Sequence, residues 1–234
     1  MRLLPRTSWV PLLFVLACAW PPAPRAEDPR FPAPARPVAG IISPERSDER
    51  TRDRHGEAER VMNRLGIGPG VTVADIGAGA GYYTVRLARR LGPGASIYGQ
   101  DVTASYLKQL EARLGREKIE TVTLVLGAPR DPRLPPTSID VAILAHMYHE
   151  IENPFEFLHR LWPALAPGAR VAIVDVDRPT ERHGTPPALL RCELAAVGYR
   201  EVDFLDLAPA DGYLAVFAPP EALPPVESIR PCRP

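Results

Sequence analysis

The sequence predicts an α/β fold, a parallel sheet with helices on both faces, finished by a C-terminal antiparallel hairpin. Three features carry that expectation. Short apolar runs rich in Val and Ile alternate with stretches of helical period, a glycine-rich turn follows the first run, and the last two β-rich runs are joined by too few residues to hold a helix. Strands alternating with helices form parallel sheets with right-handed crossovers, whereas two strands joined by a short loop pair antiparallel.

The chain opens with Arg2 and Arg6, an apolar stretch over residues 9–19, and small residues and prolines up to Ala26. That is the order of a secretory signal peptide over residues 1–26. The apolar stretch is about 11 residues long, against the ~20 of a membrane-spanning helix, so no transmembrane span is expected. Cleavage after Ala26 is preferred, although Pro24 fits poorly at the −3 position. Val15-Leu16-Ala17-Cys18 also loosely resembles a bacterial lipoprotein box, a second reading that leaves Cys18 as a lipid anchor. Either way the protein is expected to be exported, to the bacterial periplasm or to a membrane facing it.

Many of the 29 prolines cluster in residues 20–37 and 219–234. Residues 27–42 therefore read as a Pro-rich linker and 219–234 as a Pro-rich tail, flanking one domain over 43–218. With the signal removed, Cys192 and Cys232 remain. An oxidising compartment permits a bridge between them, and two unpaired thiols is the other reading.

Within the domain, residues 43–60 alternate charges of both signs with almost no apolar position, and Val61, Met62 and Leu65 follow. This predicts a mostly solvated helix, stopped by the glycines and proline of 66–70. Strands are expected at 71–76, 95–99, 121–126, 139–144 and 169–175, each apolar enough to be buried on both faces. Leu107, Leu110 and Leu114 mark a helix behind Thr103 as N-cap. Phe155, Leu158, Leu161, Trp162 and Leu165 mark another behind Asn153-Pro154, and Leu190, Leu194 and Val197 a third that Gly198 stops. Residues 199–207 and 212–218 form the hairpin.

Lys plus Arg and Asp plus Glu are equal at 28 each. Without a net positive field no nucleic acid partner is expected.

Val73-Ala74-Asp75-Ile76-Gly77-Ala78-Gly79-Ala80-Gly81 is the most informative segment. A buried strand passes an acidic residue into three alternate glycines before a helix, where missing side chains let the backbone turn sharply and approach a ligand. Dinucleotide folds space these glycines as G-x-G-x-x-G, whereas here they run G-x-G-x-G after Asp75, which argues against a nicotinamide-dependent dehydrogenase.

The segment resembles motif I of class I S-adenosylmethionine-dependent methyltransferases, in particular the bacterial predicted methyltransferases that carry a signal peptide, and the resemblance runs over residues 71–218. The run from Ser96 to Asp101 and Val102 is similar to the family's second strand with its ribose-binding carboxylate. Ile139 to Leu144, followed by Ala145-His146-Met147-Tyr148-His149-Glu150, is similar to the fourth strand and its ligand-facing loop. Leu165-Ala166-Pro167-Gly168-Ala169 resembles the family's run into the fifth strand, with Ala169 in place of its second glycine.

The resemblance implies a Rossmann-like seven-stranded mixed sheet whose last strand is inserted antiparallel, with the charged N-terminal helix as a lid. It implies S-adenosyl-L-methionine as cofactor, bound by Asp75, Gly77, Ala78, Gly79, Gly81, Asp101, Val102, Ala128 and Ala145. A sulfonium amino acid with a ribose diol calls for such carboxylates, and its adenine for an apolar slot at Val102 and Ala128. Many members carry an acidic residue just after the third strand, where this chain reads Gly127-Ala128-Pro129-Arg130-Asp131, so Asp131 or a backbone carbonyl takes the adenine amino group here. His149, Glu150 and Tyr148 are the catalytic candidates, since a base is needed if the acceptor must lose a proton. The alternative for His149 is that it only orients its loop. Asp140 and Asp175 have the reading of satisfying turn backbone groups, and Thr185 that of a helix N-cap. His146, His149 and Glu150 do not match H-E-x-x-H and no further ligand stands out, so no metal is expected.

Expected overall is methyl transfer to a small-molecule acceptor, the connection after the fifth strand being short. The rival from another class is an exported, non-catalytic ligand-binding or interaction module that keeps the fold.

Overall fold

The computed structural model describes residues 28–41, 49–208 and 212–232. The signal-peptide segment and Cys18 lie outside them. Strands β1 (Thr72–Ile76), β2 (Ser96–Asp101), β3 (Val122–Leu126), β4 (Ile139–Ala145), β5 (Leu165–Asp175), β6 (Arg200–Asp206) and β7 (Tyr213–Ala218) form one sheet in the order β3-β2-β1-β4-β5-β7-β6. The first five pair parallel; β7 inserts antiparallel between β5 and β6. The seven-stranded mixed sheet is thus as the sequence led us to expect. Strand β5 starts earlier than expected, because Leu165 pairs with Ile139 before a register shift brings Arg170 opposite Val141.

The sheet order reverses between β1 and β4, and their carboxyl ends open a crevice there. Period-two alternation sends neighbouring side chains to opposite layers. Ala74 and Ile76 join a core with Phe155, Leu158, Leu190 and Leu194 from helices α5 (Pro154–Leu161) and α6 (Pro187–Ala196). Val73 joins the other core with residues of α2 (Glu57–Arg64) and α3 (Tyr82–Leu91), among them Val61, Tyr83 and Leu87. Helix α4 (Ala104–Glu117) packs Leu110 and Leu114 against Val85 of α3. Asn153 caps α5 by accepting from the Glu156 N–H at 3.0 Å. Thr103 caps α4 without a side-chain bond.

The charged N-terminal segment is two helices rather than one. Helix α1 (Glu49–Arg54) ends at His55, and Gly56, with φ +65°, turns the chain into α2. The described part of the expected linker is packed on the domain: Phe31, Arg36 and Ala39 are buried. Asn153 donates to the Pro32 carbonyl at 3.1 Å, and Arg36 meets Glu193 at 2.8 Å with both side chains out of solvent. The proline-rich tail is packed as well, with Val226 and Ile229 buried and Cys232 bonded to Cys192 of α6. Proline content reads as a loose chain because it has no periodicity, while the contacts that order both segments come from distant parts of the sequence.

Candidate functional site

At the carboxyl ends of β1, β2, β4 and β5 lies a cavity of about 790 Å³, within the size range of small-molecule sites. Gly77, Gly79 and Gly81 all adopt left-handed φ, at +70°, +53° and +89°. The loop therefore turns only because these positions lack side chains. A Cβ on Gly77 would lie 2.7 Å from Met147 Cγ, and one on Gly81 2.4 Å from Leu110 Cδ1, so the glycines also let β4's loop and α4 close in.

Asp101 ties this loop to the next element. Its carboxylate accepts from the Gly79 N–H at 2.9 Å and from the Thr103 N–H at 2.8 Å, one bond per oxygen, and lines the cavity with Val102. Each oxygen keeps a lone pair for a ligand hydroxyl. Asp75 sits behind the loop instead of on the cavity wall. It is buried, accepts the Thr84 hydroxyl at 2.5 Å, and burial pushes its carboxyl up to about 6.

The other side of the cavity is built on the 145–152 loop and the 176–185 turn. His149 is 2% exposed, and its Nδ1 lies 3.1 Å from both oxygens of the fully buried Asp175. A carboxylate only accepts, so Nδ1 carries the hydrogen and Nε2 is the remaining ring nitrogen. Asp175 is fixed in turn by the Thr185 hydroxyl at 2.7 Å and the Val176 N–H at 2.8 Å. Thr185 thus serves Asp175 rather than a helix end. Asp140, by contrast, accepts the Thr72 N–H at 2.8 Å, the backbone role its position allowed.

Charged residues of α1, α2 and the turn between them form a further side of the cavity, with Glu49, Arg52, His55 and Glu57 on its wall. Arg52 binds Glu57 at 2.6 Å and stacks on the Tyr82 ring at 3.6 Å, with Arg86 on the same ring at 3.7 Å. His146 Nε2 lies 3.2 Å from Glu57. Burial alone would raise the Glu57 carboxyl, but its bonds to His146 and Arg52 outweigh that and hold it well below the usual carboxylate range.

Of the residues singled out from sequence, Gly77, Ala78, Gly79, Asp101, Val102, Ala145, His149 and Glu150 line one cavity. Gly81 shapes the loop from outside the wall, and Ala128 lies in a two-residue turn bridged to Asp131, with Pro129 on the wall in its place. Asp131 spends one oxygen on the Arg133 N–H. Tyr148, expected beside the acceptor, is fully buried next to Arg36 and Glu193, where burial raises its hydroxyl well above the ordinary value. A short helical turn, Tyr148–Glu150, points it inward while its neighbours face the cavity.

Sequence reasoning missed Val38, Ala39 and Ile41, which line the cavity from the pre-domain segment. The Ala39 N–H donates to the His149 carbonyl at 3.1 Å, and Arg36 reaches the carbonyls of Tyr148, His149 and Ile151 at 3.4–3.5 Å. Their only sequence mark was an apolar cluster, Val38 to Ile41, at the end of the prolines. His183 lies in the connection after the fifth strand, which the resemblance places near the acceptor pocket, but its pairing with His149, 34 positions before it, was missed because no motif joins them.

Residues 74–171 match the family profile described as a methyltransferase domain. Over 181 residues the chain is 30% identical to trans-aconitate 2-methyltransferase of Variovorax paradoxus, covering 75% of this chain and 65% of that protein. It is 24% identical over 119 residues to demethylmenaquinone methyltransferase of Anoxybacillus flavithermus, covering 51% and 50%. The chain spans about half the length of the demethylmenaquinone methyltransferases it matches. A crystal structure of a SAM-dependent methyltransferase from Aquifex aeolicus superposes with a TM-score of 0.67 at 21% identity, covering 71% of this chain and 92% of that one.

Proposed function

We propose that the protein, whose residues 74–171 match a methyltransferase-domain profile, is a class I methyltransferase that transfers the methyl group of S-adenosyl-L-methionine to a small acceptor. The observation that carries the reading is Asp101, which grips the glycine loop by one oxygen and the start of α4 by the other while facing the cavity. The residues fit the cofactor. The left-handed glycine turn puts Gly77, Ala78 and Gly79 on the cavity wall, Asp101 offers acceptors to a ribose diol, and Val102 and Pro129 give an adenine ring an apolar wall.

When bound, the cofactor supplies a methyl group on a sulfonium, an electrophile that needs an in-line nucleophile and little else. The chain's own task is alignment and exclusion of water. The acceptor side has Val38, Ile41 and Met147 for an apolar body, with His149 and Glu150 beside them to meet its polar end. The named acceptors of the relatives differ, trans-aconitate in one and demethylmenaquinone in another, so kinship leaves the acceptor open.

Calorimetry tests the reading against a non-catalytic module and a dehydrogenase. S-adenosylmethionine and S-adenosylhomocysteine should bind and NAD should not. Asp101→Ala should weaken binding about 10- to 100-fold through lost charge-assisted hydrogen bonds. A folded Asp101→Ala chain with wild-type affinity removes the cofactor reading.

We also propose that the protein is exported, by the signal-like residues 1–26, with the Cys192–Cys232 bond suited to an oxidising compartment. Intact-mass analysis of native protein decides it. A chain beginning at Glu27 supports cleavage, a lipid on Cys18 supports the anchored form, and a cytoplasmic chain beginning at Met1 defeats both.

A further inference from the structure

The corner of the cavity opposite the glycine loop gathers three donors that sequence spacing did not connect. His149, Glu150 and His183 each offer one ligand atom, and these atoms all lie within 4.8 Å of one another. All three line the cavity. The two imidazole rings stand edge to face with centroids 5.6 Å apart.

The supports behind the donors match what a metal ligand needs. His149 gives its Nδ1 hydrogen to Asp175, which is wholly buried and held by Thr185 and Val176, so Nε2 is fixed in tautomer and direction. A carboxylate behind a histidine in this way orients the ring and raises its basicity toward a cation. His183 is placed by a turn with no slack. Its own φ is +58°, and a Cβ on the following Gly184 would lie 2.5 Å from the Val176 carbonyl oxygen. Two imidazoles and one carboxylate leaving an open position toward a cavity are a donor set of catalytic zinc and similar divalent ions. Ligands about 2.0–2.1 Å from a tetrahedral ion sit about 3.4 Å apart, so small side-chain rotations would close the set around one.

We propose that His149, Glu150 and His183 bind a divalent transition metal ion whose open position takes the oxygen or sulfur atom of the methyl acceptor. The chemical role rests on the methyltransferase reading; the metal site itself does not. An acceptor O–H or S–H held by the ion loses its proton to solvent water at lower pH than it would free. The resulting oxyanion or thiolate attacks the methyl carbon, a C–O or C–S bond forms, and the methyl–sulfonium bond breaks with its electron pair passing to sulfur. The products are the methyl ether or thioether and S-adenosylhomocysteine. The acceptor class is accordingly a small alcohol, phenol or thiol with an apolar body that can lie on Val38 and Ile41.

The test uses the untagged full chain, stripped with a chelator and titrated with cobalt(II), followed by its visible ligand-field absorption and by calorimetry. One equivalent should bind with the intensity of four- or five-coordinate cobalt. His183→Ala and Glu150→Gln should each weaken it at least about 100-fold while keeping the thermal melt and S-adenosylhomocysteine binding, and Asp175→Asn should weaken it about 10- to 100-fold. Equal cobalt affinity in wild type and His183→Ala, or no uptake of cobalt or zinc by wild type, overturns the site. A chain that binds S-adenosylhomocysteine but no metal refutes the metal site alone. One that binds cobalt through these residues but no S-adenosylhomocysteine or S-adenosylmethionine refutes the cofactor reading alone.

Discussion

Asp75 and Asp101 stand near the ends of neighbouring strands, and their surroundings give them opposite work. Asp101 is bonded to two backbone N–H groups and faces the cavity, whereas Asp75 is buried, and its hydrogen bonds from the Thr84 hydroxyl and backbone offset only part of that burial. A carboxyl raised from 3.8 to about 6 favours the protonated form in the fold. Its contribution to stability is complete below about pH 4 and is lost as the pH rises through 6, a change of up to about 3 kcal/mol. Asp75→Asn, which can still accept from Thr84, should therefore leave stability unchanged at pH 4. It should exceed wild type by an increasing margin up to pH 6 and by a constant one above. Urea unfolding across that range checks this, and a margin independent of pH would mean that Asp75 is not the titrating group. Because Asp75 lies behind the loop, S-adenosylhomocysteine affinity should change only a few-fold. The sequence marked both aspartates by type and position, but type alone could not tell which one faces the ligand. The same limit hid the inward turn of Tyr148, since a three-residue helical turn has too short a period to read.

At the scale of elements, what was legible was what repeats. Five parallel strands, a glycine turn and a hairpin too short to cross over all follow from local pattern, and each lies within a few residues of its expected place, although β3, expected to be buried on both faces, is an edge strand with Leu126 exposed. The charged N-terminal segment does not repeat, and its division at Gly56 depends on one left-handed residue. Helix α1 has no buried residue. It is held instead by Glu49 to Arg113 at 2.6 Å, Asp53 to Arg86 at 2.5 Å, and the Tyr82 hydroxyl to Asp53 at 3.1 Å. Burial opposes the charge on Glu49, and Arg113 and Arg86 outweigh it, so its carboxyl lies below the usual value. Partly exposed pairs of this kind are each worth about 0–1 kcal/mol and weaken as salt rises. Amides of α1 should exchange quickly in the free chain, faster still at high salt, and slow when S-adenosylhomocysteine binds, while amides of β1 respond to neither. Equal α1 exchange with and without ligand, with the 77–81 loop protected, would make α1 a fixed flank rather than a lid.

Across the whole molecule, both proline-rich ends converge on α6. The leading segment runs from Phe31 against His159, past the Arg36–Glu193 pair, to Ala39 at the His149 loop. The tail leaves β7, takes the Trp162 indole N–H on the Pro220 carbonyl at 2.8 Å, and ends at Cys232, bonded to the residue that precedes Glu193. The bond thus anchors the tail to the same helix whose glutamate holds Arg36, and Arg36 holds the carbonyls of the site loop. Of this only the Cys192–Cys232 bond was open to reading, as one of two alternatives; the other contacts were not legible, because each partner lies far along the chain and proline-rich composition carries no face. Closing a loop with a sequence separation of 40 restricts the unfolded chain by about 3–4 kcal/mol in the loop-entropy model. Cys232→Ser should therefore lower the free energy of unfolding by roughly that amount. Proteases should cut it first within residues 219–232. Cofactor affinity should stay close to wild type, because no tail residue lines the cavity among the described residues. Chemical reduction of wild type should reproduce the loss and leave Cys232→Ser unmoved. If reduction destabilises both chains alike, the effect does not come from this bond, and the tail is held by Val226 and Ile229 alone.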